Sequence, residues 1–339
     1  VIFEKISIII PAYNCEKTIG RTLEAALTVA SAFRNAPISQ TQNRYVEIIV
    51  VDDGSTDNTK NVILKFSTVK YCYQSNAGPA SARNRGAQEA CGDILFFTDS
   101  DCLPHKDWLE IMMAHFNKPD VAVVAGSYGI ANSQNRLSRC IQQEIIFRHT
   151  ILMPEFPNYF GSFNFAIKKS VFNEVGGFNV TYRFASGEDN DLSYRISSRG
   201  YKIYFAKDAL VDHYHPVSVS QYLREQFRHG FWRVRMYRDY PQMAKGDGYT
   251  FWKDSVEVAL VVICYVLFAL ILLKFSKLVL WVFIGNGMVL IAINIFFGMR
   301  ISADWHDGLF FSDVMILRAF ARTNGFLSGA CRFCFGKNE

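Results

Sequence analysis

The hydrophobic and polar positions of this chain fall into two regimes. Through roughly the first two thirds, short apolar runs alternate with polar loops. From residue 255 to 299 the chain is almost entirely apolar. In the first regime, residues 6–10 form a β-branched run ending at Pro11, as expected of a strand buried on both faces. Residues 16–33 follow, with Ile19, Leu23, Ala26, Leu27 and Ala30 at helical spacing. A polar loop is expected at 35–44, a second buried strand at 46–51 and a helix at 56–66. A strand at 69–73, a helix at 78–89 and an apolar strand at 94–98 complete the alternation. Strand–helix repetition of this kind predicts a mainly parallel sheet with helices on both faces.

Beyond Trp108 the pattern loosens. Strands are expected at 121–126, 202–205 and 209–213, helices at 137–147 and 189–199, and a turn at Gly176-Gly177-Phe178. Two apolar segments, 255–273 and 278–299, then each reach the length of about 20 residues that crosses a bilayer. Lys274-Phe275-Ser276-Lys277 joins them, so a transmembrane helical hairpin is expected. A pair of buried core helices is the alternative. The division that follows is 1–223 for an α/β domain, 224–254 for a basic juxtamembrane segment, 255–299 for the hairpin and 300–339 for a tail at the cytoplasm or interface.

Charge sharpens this picture. The net charge of the 339 residues is +5, and Arg224, Arg228, Arg233, Arg235, Arg238, Lys245 and Lys253 crowd just before the hairpin. Beside a membrane span, such a cluster suits anionic lipid headgroups on the cytoplasmic side. The globular part and the tail are then expected in the cytoplasm, at the cell membrane. Basic residues are not spread over the globular part, which argues against nucleic acid. The eight cysteines are irregularly spaced. Only Cys331 and Cys334 form a C-x-x-C, so free thiols are expected rather than a zinc ribbon. Residues 6–10 are too short for the apolar core of a secretory signal.

In parallel sheets, ligands collect at the C-terminal ends of strands. Three expected strands end in polar groups: Ala12-Tyr13-Asn14, Asp52-Asp53 and Asp99-Ser100-Asp101. Asp99 and Asp101 stand two apart, which puts both carboxylates on one side if the extended geometry continues. Such a pair can hold Mg²⁺ or Mn²⁺ with open positions for phosphate oxygens, although D-x-D also fits a solvated turn. Asp52-Asp53-Gly54-Ser55 suits either a ribose or base contact or a helix N-cap. Glu188-Asp189 could take a proton from an attacking hydroxyl, or simply complement a helix dipole. His213 and His215, two apart on one expected strand, could share a face, and one of them could complete a metal's ligand set.

Taken in order, Ile8-Ile9-Ile10-Pro11-Ala12-Tyr13-Asn14, Val50-Val51-Asp52-Asp53-Gly54-Ser55-Thr56-Asp57, Ala82-Arg83-Asn84, Asp99-Ser100-Asp101, Gly176-Gly177-Phe178 and Gly187-Glu188-Asp189-Asn190-Asp191-Leu192 resemble the family 2 glycosyltransferases over residues 5–215. The resemblance implies a GT-A fold, Rossmann-like, and inverting transfer from a nucleoside-diphosphate sugar with Mg²⁺ or Mn²⁺. Uridine is the commonest base in that family. Pro11, Ala12, Tyr13, Asp52, Asp53, Arg83, Asp99 and Ser100 are the implied nucleotide-sugar contacts. Asp101, with Asp99 and His213, is the implied metal set. Asp189 is the implied general base, with Glu188 beside it. A base suits a hydroxyl acceptor, and the hairpin points to a lipid-linked saccharide or glycolipid. Polyprenyl-phosphate sugar synthases attack with an already ionised phosphate. Processive polysaccharide synthases carry Q-x-x-R-W where this chain has Gln226-Phe227-Arg228-His229-Gly230-Phe231-Trp232. A membrane-tethered nucleotide-sugar binder without catalysis is the reading from another class. A dinucleotide dehydrogenase would need a G-x-G-x-x-G after the first strand, which is missing.

Overall fold

The structure is a computed structural model that describes residues 5–36, 44–182, 187–245 and 251–335. Most of the expected 35–44 loop therefore lies outside the described residues. In chain order the elements are β1 (Lys5–Ala12), α1 (Ile19–Asn35), β2 (Tyr45–Asp52), α2 (Thr59–Ile63), β3 (Lys70–Tyr73), α3 (Pro79–Glu89), β4 (Ile94–Thr98) and β5 (Cys102–Pro104). Next come α4 (Trp108–His115), β6 (Val121–Ile130), α5 (Arg136–Phe147), β7 (Asn164–Lys168), α6 (Lys169–Glu174), α7 (Glu188–Ser197) and β8 (Lys202–His213). The series ends with α8 (Val219–Asp239), α9 (Trp252–Leu272), α10 (Lys277–Ile301) and α11 (Trp305–Ala330). The chain forms two compact units: residues 1–131 with 153–214, and residues 132–152 with 215–339.

The first unit is one sheet of order β3-β2-β1-β4-β7-β6-β8-β5. The β1–β2, β1–β4, β2–β3 and β6–β8 pairings are parallel, and β7 and β5 run antiparallel to their neighbours. Alternation along the strands builds two cores. Ile6, Ile8 and Ile10 of β1 join Ile48, Val50, Ile94 and Phe96 in a core that also takes Leu23, Ala26 and Val29 of α1. Ile9, Ile49, Val51, Leu95 and Phe97 face the opposite way, toward Ala80, Ala82 and Ala87 of α3 and Leu192 and Ile196 of α7. The central strands are apolar on both faces because helices cover both.

Two local expectations change, and two elements come in addition. The helix expected at 56–66 is only the short α2, because Asp52, Asn14 and Asp57 draw the amides of residues 55–57 and 59 into side-chain turns. The two strands expected at 202–205 and 209–213 are a single strand. Phe205 pairs with Ala125 and Leu210 with Ser127, so residues 206–209 bulge opposite Gly126. Strand β7 and helix α4 carry no clear periodic signal, and both are well-formed elements of this sheet domain.

The second unit is helical. Glycines bring α8 and α11 into backbone contact: a Cβ on Gly325 would lie 2.0 Å from the Phe227 carbonyl oxygen, and one on Gly230 would lie 2.1 Å from that of Arg322. Helices α9 and α10 are both long and apolar enough to cross a membrane. Their most apolar stretches are only 17% and 11% buried, with Phe268, Leu272, Trp281, Met288 and Phe296 exposed. That exposure distinguishes them from the buried core helices of the alternative reading. Arg318 and Arg322 of the C-terminal tail are engaged inside this unit: Arg318 is buried against Glu144, and Arg322 pairs with Asp254 at 2.8 Å.

Candidate active site

The site lies where β1, β2 and β4 end. After β1, Asn14 takes a left-handed φ of 47°. Its side-chain oxygen accepts from the Thr56 amide at 2.8 Å, and its own amide donates to Ser55 Oγ at 3.0 Å. The loops after β1 and β2 are thereby stitched together. Tyr13 is 52% exposed beside them, while Pro11 and Ala12 belong to β1 and are buried.

Asp52 and Asp53 end β2 and are 1% and 3% exposed. Their oxygens are committed to the protein. Asp52 accepts from the Ser55 amide at 2.9 Å and from the Tyr71 hydroxyl at 2.8 Å. Asp53 accepts from Gln74 Nε2 at 2.6 Å and from the amides of Ala77 and Gly78 at 2.9 and 2.8 Å. Asp53 thus shapes the 74–78 loop that leads into α3. Burial, then the neighbouring Asp52 carboxylate, pushes the Tyr71 hydroxyl above its ordinary pKa. Gly54, at φ +78°, makes the turn possible, and a Cβ there would sit 2.7 Å from the Asn76 amide nitrogen. Gly54→Ala is expected to cost roughly 1–3 kcal/mol of stability. A thermal melt with an unshifted midpoint would contradict this.

Arg83 of α3 is the centre of the site. Its guanidinium is fully buried, with Nη2 donating to Asp99 Oδ1 at 2.7 Å and Nη1 to Glu188 Oε1 at 3.0 Å. Asp99 follows β4 and Glu188 opens α7, so one arginine fastens the D-x-D turn to the α7 N-terminus. Next along α3, Asn84 exchanges two 2.8 Å hydrogen bonds with the backbone of Phe178. Gly176 and Gly177 have φ of +84° and +67° and turn the chain there. Arg195 of α7 closes the same turn by donating to the Val175 and Gly177 carbonyls at 2.5 and 2.7 Å.

Asp189 sits beside Glu188 in the first turn of α7, where the helix dipole favours negative charge. Burial pushes its carboxyl above the ordinary carboxylate range, and the Asn190 amide and the Arg83 charge oppose that shift. A carboxylate held in this way is a stronger base than a solvated one.

The D-x-D pair does not continue the strand. Residues 99–101 form a turn between β4 and β5, closed by the Cys102 amide donating to the Asp99 carbonyl at 3.1 Å. Asp99 therefore meets Arg83, and Asp101 faces β8 instead. Thr22 Oγ1 donates to the Ser100 carbonyl at 2.9 Å, and the Tyr214 amide donates to the Asp101 carbonyl at 3.1 Å. His213 Nε2 lies 3.5 Å from Asp101 Oδ1. The shared face expected for His213 and His215 is absent: β8 ends at His213, and His215 is buried in the other unit, bonded to Gln142 at 2.8 Å. Among the described residues, Asp101, Cys102 and His213 are a group whose donor atoms all lie within 4.8 Å of one another. Carboxylate and imidazole are the chemistry that Mn²⁺ accepts, so the donor set fits a divalent ion.

Cys102, Gln74, Asn76 and Tyr71 carry no recognisable motif. Only strand pairing and loop closure bring them to the site.

Comparisons with known proteins bear on the family and the fold. The family model for Glycosyl transferase family 2 matches residues 7–186. Glycosyltransferase AglE of Haloferax volcanii is 28% identical over 248 residues, covering 68% of this chain and 74% of that protein. The pre-mycofactocin glycosyltransferase of Mycobacterium tuberculosis is 29% identical over 199 residues, 56% of this chain and 42% of that protein. The chain thus spans three quarters of one relative and less than half of the other. Among solved structures, mannosyltransferase PcManGT from Pyrobaculum calidifontis, in complex with GDP-Man and Mn²⁺, aligns with a TM-score of 0.55 at 16% identity. That alignment covers 98% of this chain and 88% of the other. The fold is GT-A, followed by two apolar helices, and the chain belongs to glycosyl transferase family 2.

Proposed function

We propose that this glycosyltransferase moves a single sugar, with inversion, from a nucleoside-diphosphate sugar to a hydroxyl of a lipid-linked saccharide or glycolipid at the membrane. One observation carries the reading: Arg83 joins the D-x-D turn to the α7 N-terminus, so the donor's diphosphate and the acceptor's proton are handled by one rigid unit. Asp189 is the general base that takes the acceptor's proton as its oxygen attacks the anomeric carbon. Attack opposite the leaving diphosphate inverts that carbon. Tyr13, exposed at the end of β1, is the candidate platform for the base, and Pro11, Ala12, Asp52, Asp53 and Ser100 shape the floor around it. Asp101 and His213, with Asp99 adjacent, are the residues that would hold Mg²⁺ or Mn²⁺, whose chemistry there is neutralising the departing diphosphate.

The membrane part of the reading rests on the exposed apolar surface of α9 and α10, which supports insertion as a hairpin in the cell membrane. The arginines of α8 precede the first span, which favours a cytoplasmic catalytic unit near anionic headgroups. The region aligned with Q-x-x-R-W is also occupied differently: Gln226 is buried and accepts from Arg322 Nε at 2.7 Å.

The test is donor binding followed by product analysis, on the full chain in lipid nanodiscs. UDP- and GDP-sugars are screened by thermal shift with and without Mn²⁺, since a ligand that binds the folded state raises its midpoint. One donor class is expected to stabilise the protein only with the ion present. Mass spectrometry with a glycolipid acceptor should then show addition of one sugar, abolished by chelation and restored by Mn²⁺. A polymeric product, or transfer to a lipid phosphate, would overturn the single-sugar hydroxyl reading. Stabilisation by no donor would overturn the whole.

A further inference from the structure

We propose that Cys102 is a third ligand of the Asp101–His213 site and gives it a preference for a thiophilic divalent cation, zinc above all, over Mg²⁺ or Mn²⁺. This rests on the reading of Asp101 and His213 as metal ligands. Cys102 of β5 is paired directly with His213 of β8 in antiparallel register, and directly opposed residues project on the same face. Asp101 immediately precedes Cys102. Cys102 Sγ lies 3.9 Å from Asp101 Oδ1, His213 Nε2 lies 3.5 Å from the same oxygen, and all three donor atoms fall within 4.8 Å of one another. Donors around a tetrahedral ion with bonds of about 2.0–2.3 Å stand roughly 3.3–3.8 Å apart. Small side-chain rotations therefore close the set.

The chemistry separates two kinds of ion. Carboxylate and imidazole suit Mn²⁺, whereas adding a thiolate selects zinc, cobalt(II) or cadmium. On coordination the thiol proton passes to bulk solvent and the sulfur keeps the electron pair that it donates. Cys102 is fully buried, while Asp101 and His213 are partly exposed. Zinc seated in this way occupies the position of the activating ion with one ligand more, and it competes with that ion.

Cobalt(II) reports the sulfur directly. The experiment uses the full chain in detergent, with Cys331 and Cys334 changed to Ser so that the exposed C-x-x-C contributes no signal. Adding cobalt(II) is expected to give a thiolate-to-metal charge-transfer band in the near ultraviolet. In Cys102→Ala that band disappears while the visible cobalt bands of nitrogen and oxygen coordination remain. By calorimetry, Cys102→Ala weakens zinc by roughly tenfold or more and leaves Mn²⁺ binding nearly unchanged. A folded wild-type background that binds cobalt without the band overturns the role of Cys102, as does a Cys102→Ala variant that retains it. If neither Mn²⁺ nor cobalt binds, and Asp101→Asn changes nothing, the metal reading itself has failed. A circular-dichroism melt of Cys102→Ala and of Cys102→Ser separates loss of a ligand from loss of the core that this thiol also packs in.

Discussion

Asp189→Asn is expected to lower turnover by about 10²–10⁴-fold, the usual contribution of a positioned general base, while donor affinity stays near wild type. Asn preserves the size of the side chain and the hydrogen bond from the Asn190 amide at 2.8 Å, so α7 keeps its N-terminus. Only the capacity to accept a proton is lost. The pH profile supplies the second arm of the experiment. Burial raises the Asp189 carboxyl above the ordinary range. Below that raised pKa the group is protonated and cannot act as base. The rate should therefore fall as pH falls, with its acid limb above the usual carboxylate range. In Asp189→Asn the residual rate should lose that limb. Wild-type turnover in the variant, or an unchanged acid limb, would reassign the base.

Glu144→Gln is expected to destabilise the helical unit by roughly 3–5 kcal/mol, the cost of leaving a buried charge without its partner. Glu144 of α5 accepts from Arg148 Nη2 at 2.8 Å on one oxygen and from Arg318 of α11 on the other. Arg148 also pairs with Asp254 of α9 at 2.9 Å, and Asp254 with Arg322 of α11 at 2.8 Å. Tyr222 of α8 accepts from Arg318 at 3.0 Å. One charged cluster thus ties α5, α8, α9 and α11. Burial opposes ionisation of Glu144, but Arg318 and Arg148 outweigh it and hold the carboxyl far below its ordinary pKa. Gln cannot neutralise those arginines. The measurement is denaturant unfolding in detergent, with the double variant Glu144→Gln/Arg318→Met as comparison. The double variant should recover part of the loss, because it removes the stranded charge. A single variant within about 0.5 kcal/mol of wild type would show that the cluster contributes little.

Both predictions rest on residues whose legibility in the sequence differed. Asp189 stood in a recognisable run, Gly187-Glu188-Asp189, at the start of a helical pattern, and a proton acceptor could be named before any geometry was known. Glu144, Arg148 and Arg318 had no such signal. Glu144 and Arg148 stand four apart and Arg318 lies far along the chain in α11, and such charges on helices read as a solvated face. Arg83 lies between these cases. Its motif marked it as a nucleotide contact, and nothing in the sequence showed that its guanidinium pairs with both Asp99 and Glu188.

What the chain determines locally is legible from its order of residues. Short continuous apolar runs mark β1, β2 and β4, and helical spacing marks α1 and α3, since apolar positions must find a core whichever partners supply it. The uninterrupted apolar segments mark α9 and α10 for the same reason. Tertiary structure alone decides which side chains meet. It sends the D-x-D turn's two carboxylates to different partners, Asp99 to Arg83 and Asp101 to His213, because the chain leaves extended geometry after Thr98. It also separates His213 from His215 and sets Cys102 opposite His213. Register and loop closure are long-range outcomes of sheet pairing, and one residue's slip would exchange every face.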